Sequence, residues 1–207
     1  MNSDWLTRAL KESRARGYLG PQAIEPQISH AQGFALCWEA IRATPPADLL
    51  DLGSGGGLPG LVLLDRWRCH EVFLDSMAKR SNFLSEALAW PGAPQRGEVV
   101  IARAEEAARW PELEGKFDLV TARSFGPPAV TAECAVRFLK VGGVLVVSEP
   151  PGERSDERWS KGGLSLLGLA AQGRSRYGTA YEVLVKESST DEEFPRPSGV
   201  PKKRPLF

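Results

Sequence analysis

The feature that most constrains this chain is a loop with almost no side chains, placed directly after a short apolar segment. Residues 51–60 read Asp-Leu-Gly-Ser-Gly-Gly-Gly-Leu-Pro-Gly. The apolar residues 47–52 predict a buried strand, and Pro59 suits the first turn of a helix, where its missing N–H costs nothing. The predicted order is therefore strand, glycine loop, helix. Glycines at alternate positions allow positive φ and close approach of a ligand, and a helix N-terminus offers unpaired N–H groups.

Asp51 stands where this strand ends. A carboxylate at that position suits a ligand with an ammonium group and would repel a pyrophosphate laid directly beside it. Residues 55–60 also fit the Gly-x-Gly-x-x-Gly fingerprint of dinucleotide-binding folds. A glycine-rich turn without any ligand is a third interpretation. The loop alone predicts a binding site without deciding which ligand occupies it.

A second carboxylate, Asp75, follows the next apolar segment, which predicts a strand over residues 70–74. Doubly wound nucleotide-binding folds place the carboxylate that accepts from a ribose hydroxyl about 20 residues after the glycine loop. A helix cap is the lesser alternative, because Asp75 or Ser76 also suits the start of the helix predicted over residues 77–90, and both roles fit one turn.

Strand and helix signals alternate along the 207 residues, 42% of which are hydrophobic, and they predict one α/β domain. We expect N-terminal helices in residues 1–46, a ligand-binding core in 47–188 and a basic, proline-rich tail in 189–207. Such a tail is more often a flexible end than a binding arm. The remaining predicted helices cover 4–16, capped by Ser3, 26–43 and 128–139. The remaining strands cover 97–102, 117–122, 144–148 and 181–186. The Pro-Pro-Gly sequence at 150–152 predicts an interruption of regular secondary structure. The pattern does not divide 153–171 between helix and strand.

Composition excludes several classes of function. Cys37, Cys69 and Cys134 are isolated, which argues against a disulfide framework and against a zinc or other metal site. The N-terminal residues carry charges and lack an uninterrupted apolar run, so we expect neither a signal peptide nor a membrane span, and a cytoplasmic protein. The oligomeric state is left open.

The charge balance points to local rather than global contacts with any nucleic acid. The chain has 26 basic and 26 acidic residues, so its formal net charge is zero. Two local basic patches stand out, the helical stripe of Arg8, Lys11 and Arg14 and the tail with its Lys-Lys-Arg run at 202–204. The stripe fits a solvated helix face as well as a phosphate-binding surface.

Several motifs together resemble one enzyme family. The Asp-x-Gly-x-Gly-x-Gly spacing is similar to the first motif of class I S-adenosylmethionine-dependent methyltransferases. Residues 74–76 with 79–84, 102–106, 121–125 and the Pro-Gly-x-Pro-x-Lys-like tail extend the likeness. Over about residues 48–207 the chain resembles ribosomal small-subunit RNA methyltransferase G, also called glucose-inhibited division protein B. The Gly-Leu-Pro-Gly ending of the glycine loop is the most specific element.

The resemblance implies a class I methyltransferase fold, which is Rossmann-like, with a doubly wound, mostly parallel sheet of seven strands and N-terminal helices. It implies S-adenosylmethionine as the cofactor and guanine N7 of small-subunit (16S) ribosomal RNA as the methyl acceptor, so that the RNA or the subunit is the expected partner. It places Gly53 and Leu58 on the methionine and ribose side, Ala104 and Glu105 on the adenine side, and Arg123 on the crevice wall. The residues themselves add Asp75 as the ribose partner and Asp51 beside the methionine ammonium. The full predicted cofactor site is Asp51, Gly53, Ser54, Gly55, Gly57, Leu58, Asp75, Ser76, Ala104, Glu105 and Arg123.

The implied chemistry agrees with the scarcity of catalytic side chains. Guanine N7 has a free lone pair, so its attack on a sulfonium methyl requires no proton to be removed first. His30 and His70 have no convincing catalytic spacing. We expect catalysis by positioning, with no dedicated catalytic residue and with Arg123 as the one candidate. N7 lies in the major groove, which is deep and narrow in A-form RNA, so the target base should be unpaired or accessible.

Three other functions stay open. A methyltransferase for a small molecule or a protein is favoured by the zero net charge and by Glu149, which stands where the resemblance implies a lysine. A non-catalytic RNA-binding or ribosome-binding module with an inherited cofactor fold is favoured if the basic segments bind RNA and no methyl group moves. A nicotinamide oxidoreductase fits least, because Asp51 and residues 103–105 have no obvious role there.

Overall fold

The computed structural model describes residues 3–150 and 158–207. Within these residues, seven strands form one sheet in the order β3-β2-β1-β4-β5-β7-β6. Neighbouring strands from β3 to β5 pair in parallel, and β7 pairs antiparallel with both β5 and β6. The strands are β1 Asp48–Leu52, β2 His70–Asp75, β3 Gly97–Ile101, β4 Phe117–Ala122, β5 Leu139–Glu149, β6 Leu169–Tyr177 and β7 Thr179–Lys186. The mostly parallel seven-stranded sheet of the predicted α/β fold is therefore confirmed.

Helices cover both faces of this sheet. They are α1 Asp4–Ala15, α2 Ile24–Glu39, α3 Gly60–Trp67, α4 Ala78–Leu88, α5 Ala104–Ala107, α6 Pro128–Val136, α7 Lys161–Leu166 and α8 Val200–Lys203. Among the described residues, no helix is long and apolar enough to cross a membrane. In those same residues no group of three or more His, Cys, Asp or Glu side chains could hold a metal ion.

The alternation of side chains along β1 decides what each of its residues contacts. Leu50 and Leu52 belong to the apolar cluster that includes α6, whereas Leu49 packs with α2 on the opposite face. Asp51 therefore points to the face of Leu49, because successive side chains of a strand alternate between faces. On β2, Phe73 packs with α1, α3 and α4. Two acidic strand residues, Asp51 and Glu71, are thus directed toward the helices of this face.

Most of the predicted helices and strands are present, but several begin or end at residues other than the predicted ones. The helix predicted over 26–43 spans Ile24–Glu39, and the strand predicted over 144–148 is the longer β5. The helix predicted over 128–139 ends at Val136, because the next residues already pair with β4 from Leu139 onward. The undivided stretch contains α7 and the first residues of β6, a strand that the sequence pattern did not locate. Positions 151 and 152 of the predicted Pro-Pro-Gly interruption lie outside the described residues.

The C-terminal segment, residues 189–207, packs against the body of the fold. Phe194 is buried, and its carbonyl oxygen accepts from Arg137 Nε at 2.6 Å. Arg196 donates to both carboxylate oxygens of the fully buried Glu133, at 2.8 and 2.6 Å. The structure therefore does not support the interpretation of this segment as a flexible end.

Candidate functional site

The glycine loop is held by backbone hydrogen bonds to the end of β2. The N–H groups of Gly53 and Ser54 both donate to the carbonyl oxygen of Leu74, at 2.8 and 3.1 Å. Gly53, Gly55 and Gly57 have φ values of 71°, 52° and 97°. Residues with a Cβ rarely adopt these angles, so the alternate glycines meet a real backbone requirement.

Asp75 fixes the loop from the end of β2. Its Oδ2 accepts from the N–H of Gly55 at 2.8 Å, and its Oδ1 accepts from the N–H of Met77 at 2.7 Å. The two alternative roles that the sequence left open, helix capping and ligand binding, are compatible here. A carboxylate has about four acceptor positions, and these backbone contacts use two of them.

A cavity of about 270 Å³ opens where β1, β2, β3 and β4 end. This is the edge at which open α/β sheets bind their ligands. Its lining comes from all four strand ends, from helices α4, α5 and α6 and from the C-terminal segment. The described lining residues are Leu52, Gly53, Leu74, Asp75, Ser76, Met77, Arg80, Ala102, Arg103, Ala104, Glu105, Ser124, Phe125, Val130, Cys134 and Lys202. We call this space the cofactor cavity.

Five predicted site residues line the cofactor cavity, namely Gly53, Asp75, Ser76, Ala104 and Glu105. Glu105 is nearly buried, and its Oε1 accepts from the N–H of Gly199 at 2.9 Å and from Arg103 Nη2 at 3.2 Å. Burial opposes ionisation, but these donors hold the pKa of Glu105 below its ordinary value. The wall therefore carries a charged acceptor on the side where the sequence expected adenine.

The other predicted residues lie outside the lining. Ser54 donates to the carbonyl oxygen of Asp51 at 2.8 Å, and Leu58 packs in the cluster around α1 and α3. At Gly55 an added Cβ would find only Gly53 O and Arg80 Nη1, at 3.7 and 3.9 Å, whereas at Gly57 it would lie 2.4 Å from Leu61. These four positions shape or anchor the loop rather than facing the cofactor cavity, and their contact with a ligand stays a prediction.

Asp51 lies beneath the loop, facing α3. Its Oδ2 accepts from the N–H of Gly60 at 3.1 Å and its Oδ1 from Thr121 Oγ1 at 3.0 Å. Burial raises the pKa of Asp51 to about 7, although these two donors oppose the shift. The hydrogen bonds of Asp51 connect β1 with β4 and with the N-terminus of α3. Its expected place beside the methionine ammonium stays a prediction.

Glu71 adds a second carboxyl group at the same place. A Cβ built on Gly60 would lie 2.6 Å from Glu71 Oε1 and 2.7 Å from Asp51 Oδ2, so both acids crowd one glycine. Burial and the neighbouring Asp51 raise the pKa of Glu71 well above its ordinary value. Neither oxygen of Glu71 has a hydrogen-bond partner in the described part of the chain. We therefore assign the proton of this pair to Glu71.

Arg123 is half-buried at the end of β4, outside the cofactor cavity. Burial lowers the pKa of its guanidinium, and the charge of Asp51 opposes this shift. Burial and Arg123 lower the pKa of His30 to about 4, so this imidazole is neutral at neutral pH. Arg123 therefore lies near His30 of α2, and its expected place on the crevice wall stays a prediction.

Sequence reasoning missed several lining residues. Met77 and Arg80 follow Asp75 within a turn, so the position of Asp75 was a usable signal. Phe125 packs so closely over the loop that a Cβ on Gly53 would lie 2.6 Å from its ring. Lys202 comes from the C-terminal segment, and no local pattern connects that segment with residues 51–60.

Comparison with known proteins decides the family. The family model described as rRNA small subunit methyltransferase G matches residues 25–161. The chain belongs to this family. The ribosomal RNA small subunit methyltransferase G of Moorella thermoacetica is 30% identical over 185 residues, which cover 86% of this chain and 77% of the relative. The resemblance drawn from the motifs is confirmed, and with it a methyltransferase that uses S-adenosylmethionine.

Solved structures agree on the fold. The O-methyltransferase of Bacillus cereus, solved in complex with SAH, has a TM-score of 0.61 at 15% identity and covers 90% of this chain, with 92% of its own length matched. The cofactor-bound protein Rv0187 from MTB has a TM-score of 0.63 at 20% identity, with 91% of this chain and 92% of that chain covered. At such identities the likeness establishes the class I methyltransferase fold alone.

Proposed function

We propose that this chain transfers the methyl group of S-adenosylmethionine to N7 of a guanine in small-subunit ribosomal RNA. Membership of the methyltransferase G family supports the RNA substrate. The observation that carries the proposal is the charge of the cofactor cavity. Among the described residues, three cationic side chains, Arg80, Arg103 and Lys202, line it beside the two carboxylates of Asp75 and Glu105, so cations outnumber acids there although the chain as a whole has no net charge. Cations concentrated at a crevice attract the phosphates of RNA.

The cofactor cavity offers acceptors where S-adenosylmethionine has donors. Asp75 has acceptor capacity left for the two ribose hydroxyls after its bonds to Gly55 and Met77. Both hydrogen bonds from Gly199 and Arg103 to Glu105 end on Oε1, so Oε2 keeps acceptor capacity for the adenine amine. The methionine end would then lie toward Gly53 and the ends of β1 and β4.

The chemistry requires alignment more than proton transfer. Bound S-adenosylmethionine supplies an electrophilic methyl group on a sulfonium centre. The N7 lone pair of guanine forms the new N–C bond while the electron pair of the C–S bond stays on sulfur. Because no proton leaves the base, the residues of the chain need only bind, orient and exclude water. Such a substrate would place the enzyme in the cytoplasm.

A transfer assay tests the proposal. Labelled S-adenosylmethionine is incubated with the protein and with unmodified small-subunit RNA, assembled subunits, total protein or small metabolites. We expect label in RNA or subunits, and 7-methylguanosine after nuclease digestion. The Asp75→Ala variant serves as the matched control with weakened cofactor binding. Label only in protein or metabolites would instead support the second candidate function, a methyltransferase for a protein or a small molecule, which the zero net charge of the chain favours. Cofactor binding without transfer to any fraction would support a non-catalytic RNA-binding module.

A further inference from the structure

A second cavity, of about 330 Å³, adjoins the cofactor cavity. The two share Ser124 and Phe125, which follow β4. The far wall of the second cavity comes from the end of β5, including Glu149, and from Pro150, Arg158 and Trp159. Since β4 and β5 are neighbouring parallel strands, this space lies beside the cofactor cavity at the ligand-binding edge of the sheet. We call it the acceptor cavity.

Among the described residues that line the acceptor cavity, one is acidic, and its carboxylate is held in a fixed position. Glu149 is 8% exposed, and its Oε2 accepts from Arg158 Nε at 2.7 Å while its Oε1 accepts from Trp159 Nε1 at 3.2 Å. Each oxygen uses one acceptor position on these contacts and keeps a second. The carboxylate therefore presents two adjacent acceptors to a ligand.

The remaining walls suit a planar group. Phe125 and Trp159 contribute aromatic rings to the lining, and aromatic faces stack on unpaired RNA bases. His30 also lines the cavity, and its buried Nε2 has no hydrogen-bond partner among residues 3–150 and 158–207. An unpartnered buried polar atom needs an explanation, and a ligand or water bound beside His30 would supply one.

Among the bases, guanine matches two adjacent acceptors. Its N1–H and its N2 amine lie side by side on the Watson–Crick edge and both donate. Adenine presents the acceptor N1 at that place, so its lone pair would face the carboxylate. Building on the proposed function, we propose that the acceptor cavity holds the target guanine, with Glu149 accepting from N1–H and the N2 amine.

This placement also orients the reacting atom. N7 lies on the edge of guanine opposite N1 and N2. With N1 and N2 held at the end of β5, N7 faces Ser124 and Phe125, the boundary shared with the cofactor cavity. Arg158 beside Glu149 supplies a positive charge close to the position where the family resemblance implied a lysine. Glu149 then selects the base and supports an RNA substrate.

Inosine in place of the target guanosine tests the assignment. Inosine keeps N7 and N1–H and lacks only the N2 amine. The wild-type protein first methylates unmodified small-subunit RNA, and the position of 7-methylguanosine is mapped. A short RNA around that position is then made with guanosine or inosine, and kcat/KM is measured for wild type, Glu149→Gln and Glu149→Ala. Glu187→Gln, an exposed carboxylate, is the matched control variant.

We expect the kcat/KM of wild type and of Glu187→Gln to be about tenfold higher on guanosine than on inosine, and we call this ratio the inosine penalty. Glu149→Gln should lose about ten- to a hundredfold in kcat/KM on guanosine, because a hydrogen bond to a charged group is removed. The inosine penalty should nearly vanish in Glu149→Ala, while calorimetry gives an unchanged affinity for S-adenosylmethionine in both Glu149 variants.

An inosine penalty below about threefold in wild type, too small for the loss of a charge-assisted hydrogen bond, overturns the assignment without needing any variant. An equal penalty in wild type and Glu149→Ala overturns it as well. If wild type makes no 7-methylguanosine at all, the proposed function itself fails, and the assignment fails with it.

Discussion

The backbone N–H of Gly199 donates to Oε1 of Glu105 at 2.9 Å, across 94 positions of the sequence. This bond ties the C-terminal segment to the wall of the cofactor cavity, to which Lys202 also contributes. A segment whose composition suggested a free end is therefore part of the site. One of the contacts that attach the segment is the buried ion pair of Arg196 and Glu133, which can be tested directly.

Removing Arg196 should loosen this segment. Arg196→Ala leaves Glu133, which is 0% exposed, without its guanidinium partner. Breaking a buried pair in this way costs about 3 kcal/mol or more, because an unpaired charge stays buried. We expect this loss in urea denaturation, together with weaker cofactor binding. The double variant Arg196→Ala/Glu133→Leu should recover most of the stability, and equal stabilities of the single and double variants would contradict the argument.

Asp75→Ala should weaken S-adenosylmethionine binding about ten- to a hundredfold, since charge-assisted hydrogen bonds contribute about 1.5 to 3 kcal/mol. The same variant also loses the bonds to Gly55 and Met77, so the melting temperature should fall. Asp75→Asn keeps one acceptor oxygen and should lose less affinity than alanine. Calorimetry with unchanged affinity in Asp75→Ala would remove this residue from the site.

Glu71→Leu should stabilise the protein at high pH. The pKa of Glu71 is raised in the fold, so the native state binds more protons than the unfolded state above the ordinary value of 4.5, and stability falls as pH rises. Leucine removes this unpartnered group and should add about 1–3 kcal/mol at pH 8, with a smaller gain at pH 5. Urea denaturation at both pH values checks this. Glu112→Leu at an exposed site is the control, and a gain independent of pH would contradict the assigned protonation.

Gly56→Ala should loosen the N-terminal helix from the glycine loop. A Cβ on Gly56 would lie 2.6 Å from Ser13 Oγ and 2.7 Å from the backbone oxygen of Tyr18. Ser13 Oγ also donates to the carbonyl oxygen of Gly56 at 2.7 Å. Overpacking of this kind costs about 1–3 kcal/mol. Gly162→Ala, where a Cβ meets nothing within 4 Å, is the matched control and should show no such loss.

The sequence predicted what depends on local pattern. Strands ending at Asp51 and Asp75 and the positive φ of alternate glycines follow from residues close together in the chain. The pattern could not assign each glycine its role, because the neighbours of Gly56 and Gly60 come from α1 and β2. It also missed β6, whose residues 169–177 form an irregular edge strand with a register shift against β7.

The structure divides the six basic residues that the sequence offered as phosphate contacts. The guanidinium of Arg8 lies 4.2 Å from the ring centroid of Trp90, and Arg14 donates to the carbonyl oxygen of Gln22. Lys202 lines the cofactor cavity, so its neutralisation should affect the cofactor as well as RNA. Lys11, Lys203 and Arg204 are exposed, and none of the three lines that cavity.

Neutralising Lys11 and Lys203 together should therefore weaken RNA binding and leave cofactor affinity unchanged. The plot of log K against log salt has a negative slope, and this slope should become shallower by about 0.7 for each phosphate of single-stranded RNA that is no longer neutralised. Fluorescence titrations of a small-subunit RNA fragment at several salt concentrations measure this slope, and calorimetry measures cofactor binding. Lys161→Gln, at an exposed position on α7, controls for the removal of a surface charge. If Lys11→Gln/Lys203→Gln binds RNA with the wild-type slope, these lysines make no phosphate contacts, and the cations that line the cofactor cavity must carry the electrostatic part of RNA binding.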